Sequence, residues 1–149
     1  MGFKIKKYTF TLEEVVFIHI SLENKITEND LTGILDILQE YLDDGCPFGF
    51  MVDSTKCTDV PFVTGGNTII HWMKKNKQKI PNCLLGSVIL TQNMIIRNIL
   101  SFVFSVRKPM SPNKVTKNIN KGIEFLSQNI CPRITELEIF RTQNNTVST

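Results

Sequence analysis

The chain contains no alanine, one tryptophan and only two histidines among its 149 residues. Absent alanine beside abundant Ile, Asn and Lys is how codon bias from an A/T-rich genome looks, and it bears on source rather than function. His19 falls in a strand-like stretch and His71 in a helix-like one, so neither brings the histidine cluster that acid-base or metal chemistry requires. Cys46, Cys57, Cys83 and Cys131 include no Cys-x-x-Cys pair. That excludes a zinc knuckle or a thioredoxin-type motif and leaves four free thiols as the expected state.

Long apolar runs are also missing. No stretch reaches the roughly 18 apolar residues of a membrane span, and Lys4, Lys6 and Lys7 are not followed by the unbroken apolar segment of a secretion signal. The expected setting is cytoplasmic, with no transmembrane segment. The net charge of +3 and pI near 8.7 fall short of a dedicated nucleic-acid binder, and no nucleic acid partner is predicted. Gly65-Gly66 lacks the spacing and the lysine of a phosphate loop. With no constellation for chemistry, the chain reads as non-enzymatic, with no cofactor and no metal expected.

What is present is an alternation of strands and helices. At 42% hydrophobic content the chain fits one domain that buries roughly 70% of its unfolded surface. Two strands, Lys6 to Phe10 and Val15 to Ile20, flank a turn at Thr11 to Glu14; apart from His19 the second is apolar on both faces, as in a buried strand. Thr27 and Asp30 form a capping box before the helical spacing of Leu31, Ile34, Leu35, Leu38 and Leu42. The spacing predicts a helix from about Glu28 to Asp43, ended by Gly45.

A buried strand follows at Phe48 to Val52. A second helix runs from Pro61 to near Pro81, carrying Trp72 inward and Lys74 and Lys75 outward. Leu84 to Leu90 is the next strand, and Thr91-Gln92-Asn93 leads into a very apolar helix, Met94 to Arg107, stopped by Pro109. Lys114 to Lys117 reads as a last strand and Asn118 as the cap of a last helix on Ile119, Ile123 and Leu126. Beyond Pro132, Ile134, Leu137 and Ile139 suggest a short strand, and Gln143 to Thr149 reads as disordered. Helical crossovers between strands make them parallel. The expectation is an α/β fold, β-β-α-β-α-β-α-β-α, with a mixed, mostly parallel sheet of about five strands covered by helices. Residues 1–132 form the single domain and 133–149 a C-terminal extension, partly disordered.

This order, with Asp53 closing the central strand, Pro61 before the second helix, Trp72 in a basic helix and Pro109 closing the apolar one, resembles the STAS fold of anti-sigma-factor antagonists. It looks more closely like bacterial STAS-like and CRAL-TRIO-like proteins of unassigned function, over roughly Tyr8 to Leu126. In the antagonists a phosphorylatable hydroxyl followed by glycine stands at the start of the second helix. Thr64-Gly65 matches that place, although the preceding aspartate is absent. A helix N-terminus does favour added negative charge. The plain alternative is Thr64 as an N-cap.

The candidate regulatory or loop residues are Asp53, Ser54 and Thr64, at or after strand ends where such sheets place ligands and switches. The candidate interface is the apolar helix, through Ile95, Ile99, Phe102, Val103, Phe104 and Val106, because its apolar arc exceeds what one core contact needs. The reading is a regulatory or protein-interaction module whose partner is another protein or a second copy as a homodimer. The alternative, which the CRAL-TRIO likeness implies, is a small carrier holding a lipid or nucleotide in an apolar pocket near the second and third helices.

Overall fold

The structure is a computed structural model describing residues 2–141, apart from the side chains of residues 62 and 63. Strands β1 (Phe3–Phe10) and β2 (Val15–Leu22) form an antiparallel hairpin, turned by Glu14 at φ 57. Helix α1 (Glu28–Asp44) leads to β3 (Phe48–Asp53), α2 (Phe62–Lys75) and α3 (Lys79–Cys83) to β4 (Leu84–Leu90), and α4 (Met94–Val106) to β5 (Asn113–Thr116). Helix α5 (Ile119–Asn129) and a 3-10 turn (Pro132–Glu136) complete the described chain.

The sheet order is β1-β2-β3-β4-β5, parallel from β2 onward. Each crossover therefore steps one strand in the same direction. Because crossovers of this kind are right-handed, all of their helices must land on one face of the sheet. The core divides accordingly. One cluster joins α1, α3 and α4 to Ile18, Ile20 and Phe48, and the opposite face is covered by α5 and the C-terminal turn packed on Phe17, Met51 and Val88.

Local chemistry explains the boundaries. Thr27 Oγ1 accepts from the Asp30 amide at 3.1 Å and Asp30 Oδ2 accepts from the Thr27 amide at 2.9 Å, so the capping box is closed; Gly45 ends α1 in the left-handed region at φ 68. Asn118 caps α5 by accepting from the Asn120 and Lys121 amides.

Two expectations need correction. The single helix expected from Pro61 to Pro81 is two, because Asn76 ends α2: its amide Nδ2 donates to the Trp72 carbonyl at 2.9 Å. Pro81 then lies in the first turn of α3, where a missing N–H costs no helical hydrogen bond. At the C-terminal end, Ile134 and Ile139 are not in a strand. Pro132 starts a 3-10 turn, residues 138–141 add a helical turn, and Ile134 and Phe140 are fully buried. Ile134 and Phe140 of the segment expected to be an extension thus pack into the core cluster on Phe17, Met51 and Val88. The expected disorder of Gln143 to Thr149 lies outside the described residues.

Candidate functional site

The polar residues at the strand ends are bound into the framework. Ser54, at 1% exposure, donates from Oγ to the Leu90 carbonyl at 2.7 Å, tying the exit of β3 to the end of β4. Asp53 Oδ1 accepts from the Thr55 amide and hydroxyl at 3.0 and 2.7 Å, an Asx turn. Asn93 caps α4 by accepting from the Ile95 amide at 2.8 Å and donates Nδ2 to the Cys57 carbonyl. Thr64 is exposed within the first turn of α2. It is not the N-cap, which is Pro61, because the helix begins two residues earlier at Phe62 and takes both Gly65 and Gly66 into its interior.

Among the described residues the titratable groups do not converge on a reaction centre. His19 is half-buried beside the paired rings of Phe17 and Phe140, with Nδ1 3.5 Å from Ser21 Oγ, whereas His71 is exposed. Burial pushes the His19 imidazole below its ordinary value, an effect opposed by the Asp53 carboxylate and reinforced by Lys6. Burial likewise raises the thiols of Cys57 and Cys131, which makes them poor nucleophiles. Among the described residues no three His, Cys, Asp or Glu side chains group as metal ligands would.

Helix α4 is where the structure departs from a closed core. Ile96, Ile99 and Val103 are buried, and Ile99 and Val103 pack with Met73 of α2. Met94, Ile95, Phe102 and Val106 are exposed by 65, 44, 46 and 58%. Of the six interface candidates, Ile95, Phe102 and Val106 therefore face outward, Ile99 and Val103 face inward, and Phe104 is intermediate.

Behind the inner face of α4 lies a cavity of about 200 Å³, walled by α1, α2, α4 and the sheet. Leu31 and Leu35 approach it from α1, Ile69 and Trp72 from α2, Leu100 and Phe104 from α4, and Phe50, Val52 and Ile89 from the sheet. Among the described residues no charged side chain lines it. Ser54 Oγ donates to the Leu90 carbonyl, and Ser87 Oγ accepts from Asn113 Nδ2 at 2.8 Å. On the α2 wall the indole Nε1 of Trp72 is buried against protein atoms without a hydrogen-bond partner, an arrangement that costs about 1–3 kcal/mol.

The sequence placed an apolar pocket near these helices only through a family likeness. It missed the unpaired indole and the role of Asn76. The one local signal for the void is the small side chains of Gly65, Ser54 and Ser87 at positions that face inward.

These features define an α/β protein with a STAS-like fold. No protein-family model matches the chain, and no curated protein matches it. Solved structures do. An uncharacterised protein of the DUF3478 family from Shewanella loihica PV-4, with a SpoIIAA-like fold, superposes with a TM-score of 0.57 at 12% identity, covering 84% of this chain and 94% of that one. The anti-sigma factor antagonist SpoIIAA in its unphosphorylated form gives 0.52 at 11% identity, covering 82% and 94%. An anti-sigma factor antagonist from Mycobacterium paratuberculosis gives 0.51 at 10% identity, covering 85% and 93%. At these identities the likeness is one of fold. No helix among the described residues is long and apolar enough to cross a membrane.

Proposed function

We propose that this chain is a non-enzymatic regulatory module that works through protein contacts made by the outer face of α4. The observation that carries this reading is the stripe of Ile95, Phe102 and Val106, spaced i, i+7 and i+11 and left exposed beside Met94. Two of the structures sharing the fold are anti-sigma factor antagonists, a role exerted on other proteins, which supports the same reading. Four unpaired cysteines are consistent with action in the reducing cytoplasm. The other half of the contact is a second copy of the chain or a different protein. Changing Ile95, Phe102 and Val106 together to serine is expected to abolish association, read by sedimentation equilibrium for self-pairing, with the unfolding midpoint unchanged. Unfolding of that variant would assign the stripe to the core and end the reading.

The cavity favours a second reading, a small carrier. Its uncharged, apolar walls suit an apolar molecule and not a nucleotide, whose phosphates would be left without a cation. Native mass spectrometry of the protein purified from cells is expected to show added ligand mass that disappears on denaturation. A single mass equal to the bare chain would count against it.

A further inference from the structure

We infer that the partner of the α4 stripe is an acidic amphipathic helix of a different protein. This rests on the protein-contact reading and specifies the partner's chemistry and the groove that receives it.

The groove lies between α2 and α4. A methyl built on Gly66 would stand 3.1 Å from Phe102 Cδ1 and 3.9 Å from Ile99 Cγ2, so this glycine brings α2 close to the Phe102 side of α4. Gly66, Ile70 and Lys74 follow one another at i, i+4 and i+8 on α2, and Ile70 packs against the cluster of Met73, Ile99 and Val103. Ile95, Phe102 and Val106 share one flank of α4 and form the other wall. From Ile95 to Val106 that wall runs about 17 Å, three turns of a docked helix.

The charge around the groove is of one sign. From Val60 to Ile123 the sequence holds ten lysines and arginines and no aspartate or glutamate; all 14 acidic residues lie outside that span. Among the described residues Lys79 alone of the ten is in an ion pair, with Asp43. Lys74 of α2, Arg97 of α4 and Lys108 just beyond α4 are exposed. Carboxylates flanking an apolar helix face complement this field, which speeds encounter and fixes orientation.

Two other occupants fit less well. Pairing α4 with α4 of a second copy would set Arg97 and Lys108 against their own kind, with no carboxylate between them. A lipid surface meets the crest of a helix. The crest of α4, opposite the buried Ile96, Ile99 and Val103, is Asn98, Ser101 and Ser105, all exposed and polar. The apolar side chains lie on the α2 flank instead, where those of a docked helix interdigitate.

The probes are three labelled peptides sharing one leucine heptad face, with flanks of Glu, Gln or Lys, titrated with the full chain by fluorescence anisotropy. The Glu peptide is expected to bind about tenfold tighter than the Gln peptide and the Lys peptide not at all, a difference that closes between about 0.05 and 0.5 M salt. Lys74→Glu, Arg97→Glu and Lys108→Glu together are expected to make the Lys peptide the tighter binder. Should that variant unfold, the preference of the unaltered chain decides alone. Equal binding of the Glu and Gln peptides would leave the stripe as a contact surface and overturn this inference. Self-association that is lost when Ile95, Phe102 and Val106 become serine would do the same. Tighter binding to phosphatidylglycerol vesicles or to a DNA duplex than to the Glu peptide would also overturn it. If no peptide binds and the chain does not self-associate, the protein-contact reading falls as well.

Discussion

Asn76 and Gln39 face each other across α1 and the end of α2 and exchange two amide hydrogen bonds, each 2.8 Å long. Asn76 is only 2% exposed, whereas Gln39 is half-buried and its Nε2 also donates to Asp43 Oδ1 at 2.9 Å. Asn76→Ala is expected to cost about 1–3 kcal/mol in urea unfolding, because it leaves Gln39 Oε1 without its donor and removes the side-chain bond to the Trp72 carbonyl. Adding Gln39→Ala to that variant is expected to cost less than the two single changes summed, the signature of coupled partners.

Gly65 and Gly49 should respond to alanine in opposite directions. A methyl on Gly65 would lie 3.5 Å from Leu31 Cδ2 and Pro61 Cγ, ordinary contact at the cavity wall within a helix. Gly65→Ala is therefore expected to stabilise the protein by about 0.5–1 kcal/mol through helix propensity.

At Gly49 the same methyl would collide with Ile130 Cδ1 and come within 2.9 Å of the Gly86 carbonyl oxygen. Gly49→Ala is expected to cost about 1–3 kcal/mol in chemical denaturation. Truncating Ile130 in that background removes only the side-chain clash, since the carbonyl belongs to the neighbouring strand.

His19 gives stability a pH dependence whose sign follows from burial. Its imidazole titrates below the ordinary 6.5 in the folded chain, so between that value and the lowered one the unfolded chain binds more protons. The contribution is complete above pH 6.5 and is lost as pH falls through the lowered value. Denaturation midpoints measured between about pH 5 and pH 8 are expected to fall on the acid side, and His19→Gln is expected to flatten that slope. An unchanged slope in the variant would assign the dependence to other groups.

Thr27 anchors α1 through its closed capping box with Asp30. Thr27→Ala is expected to cost about 0.5–2 kcal/mol of stability, measured by thermal or urea unfolding.

Features specified by neighbouring residues were legible in the sequence. Thr27 and Asp30 announced α1, Gly45 its end, and Leu84 to Leu90 the limits of β4, because caps and apolar runs act over a few positions. Strands separated by helices gave the parallel sheet for the same reason. Asn76 was opaque: among lysines and glutamines it reads as solvent-facing helix, and only Gln39, 37 positions away in the chain, makes it a buried terminator. The apolar surplus of α4 was visible, but its division was not. Ile99 and Val103 turn toward Met73, and Ile95 and Phe102 toward solvent, a choice made by where α2 lies. The cavity and the lone Trp72 N–H are absences of contact, which no local spacing encodes.

The unidirectional strand order has a consequence for biosynthesis. Each strand pairs with the one made just before it, so the sheet can be laid down as the chain leaves the ribosome, with no earlier strand reopened to admit a later one. The underside is different. Phe17, Met51 and Val88 stay uncovered until α5 and Phe140 emerge, which makes the nascent sheet sticky on one side until those final turns arrive.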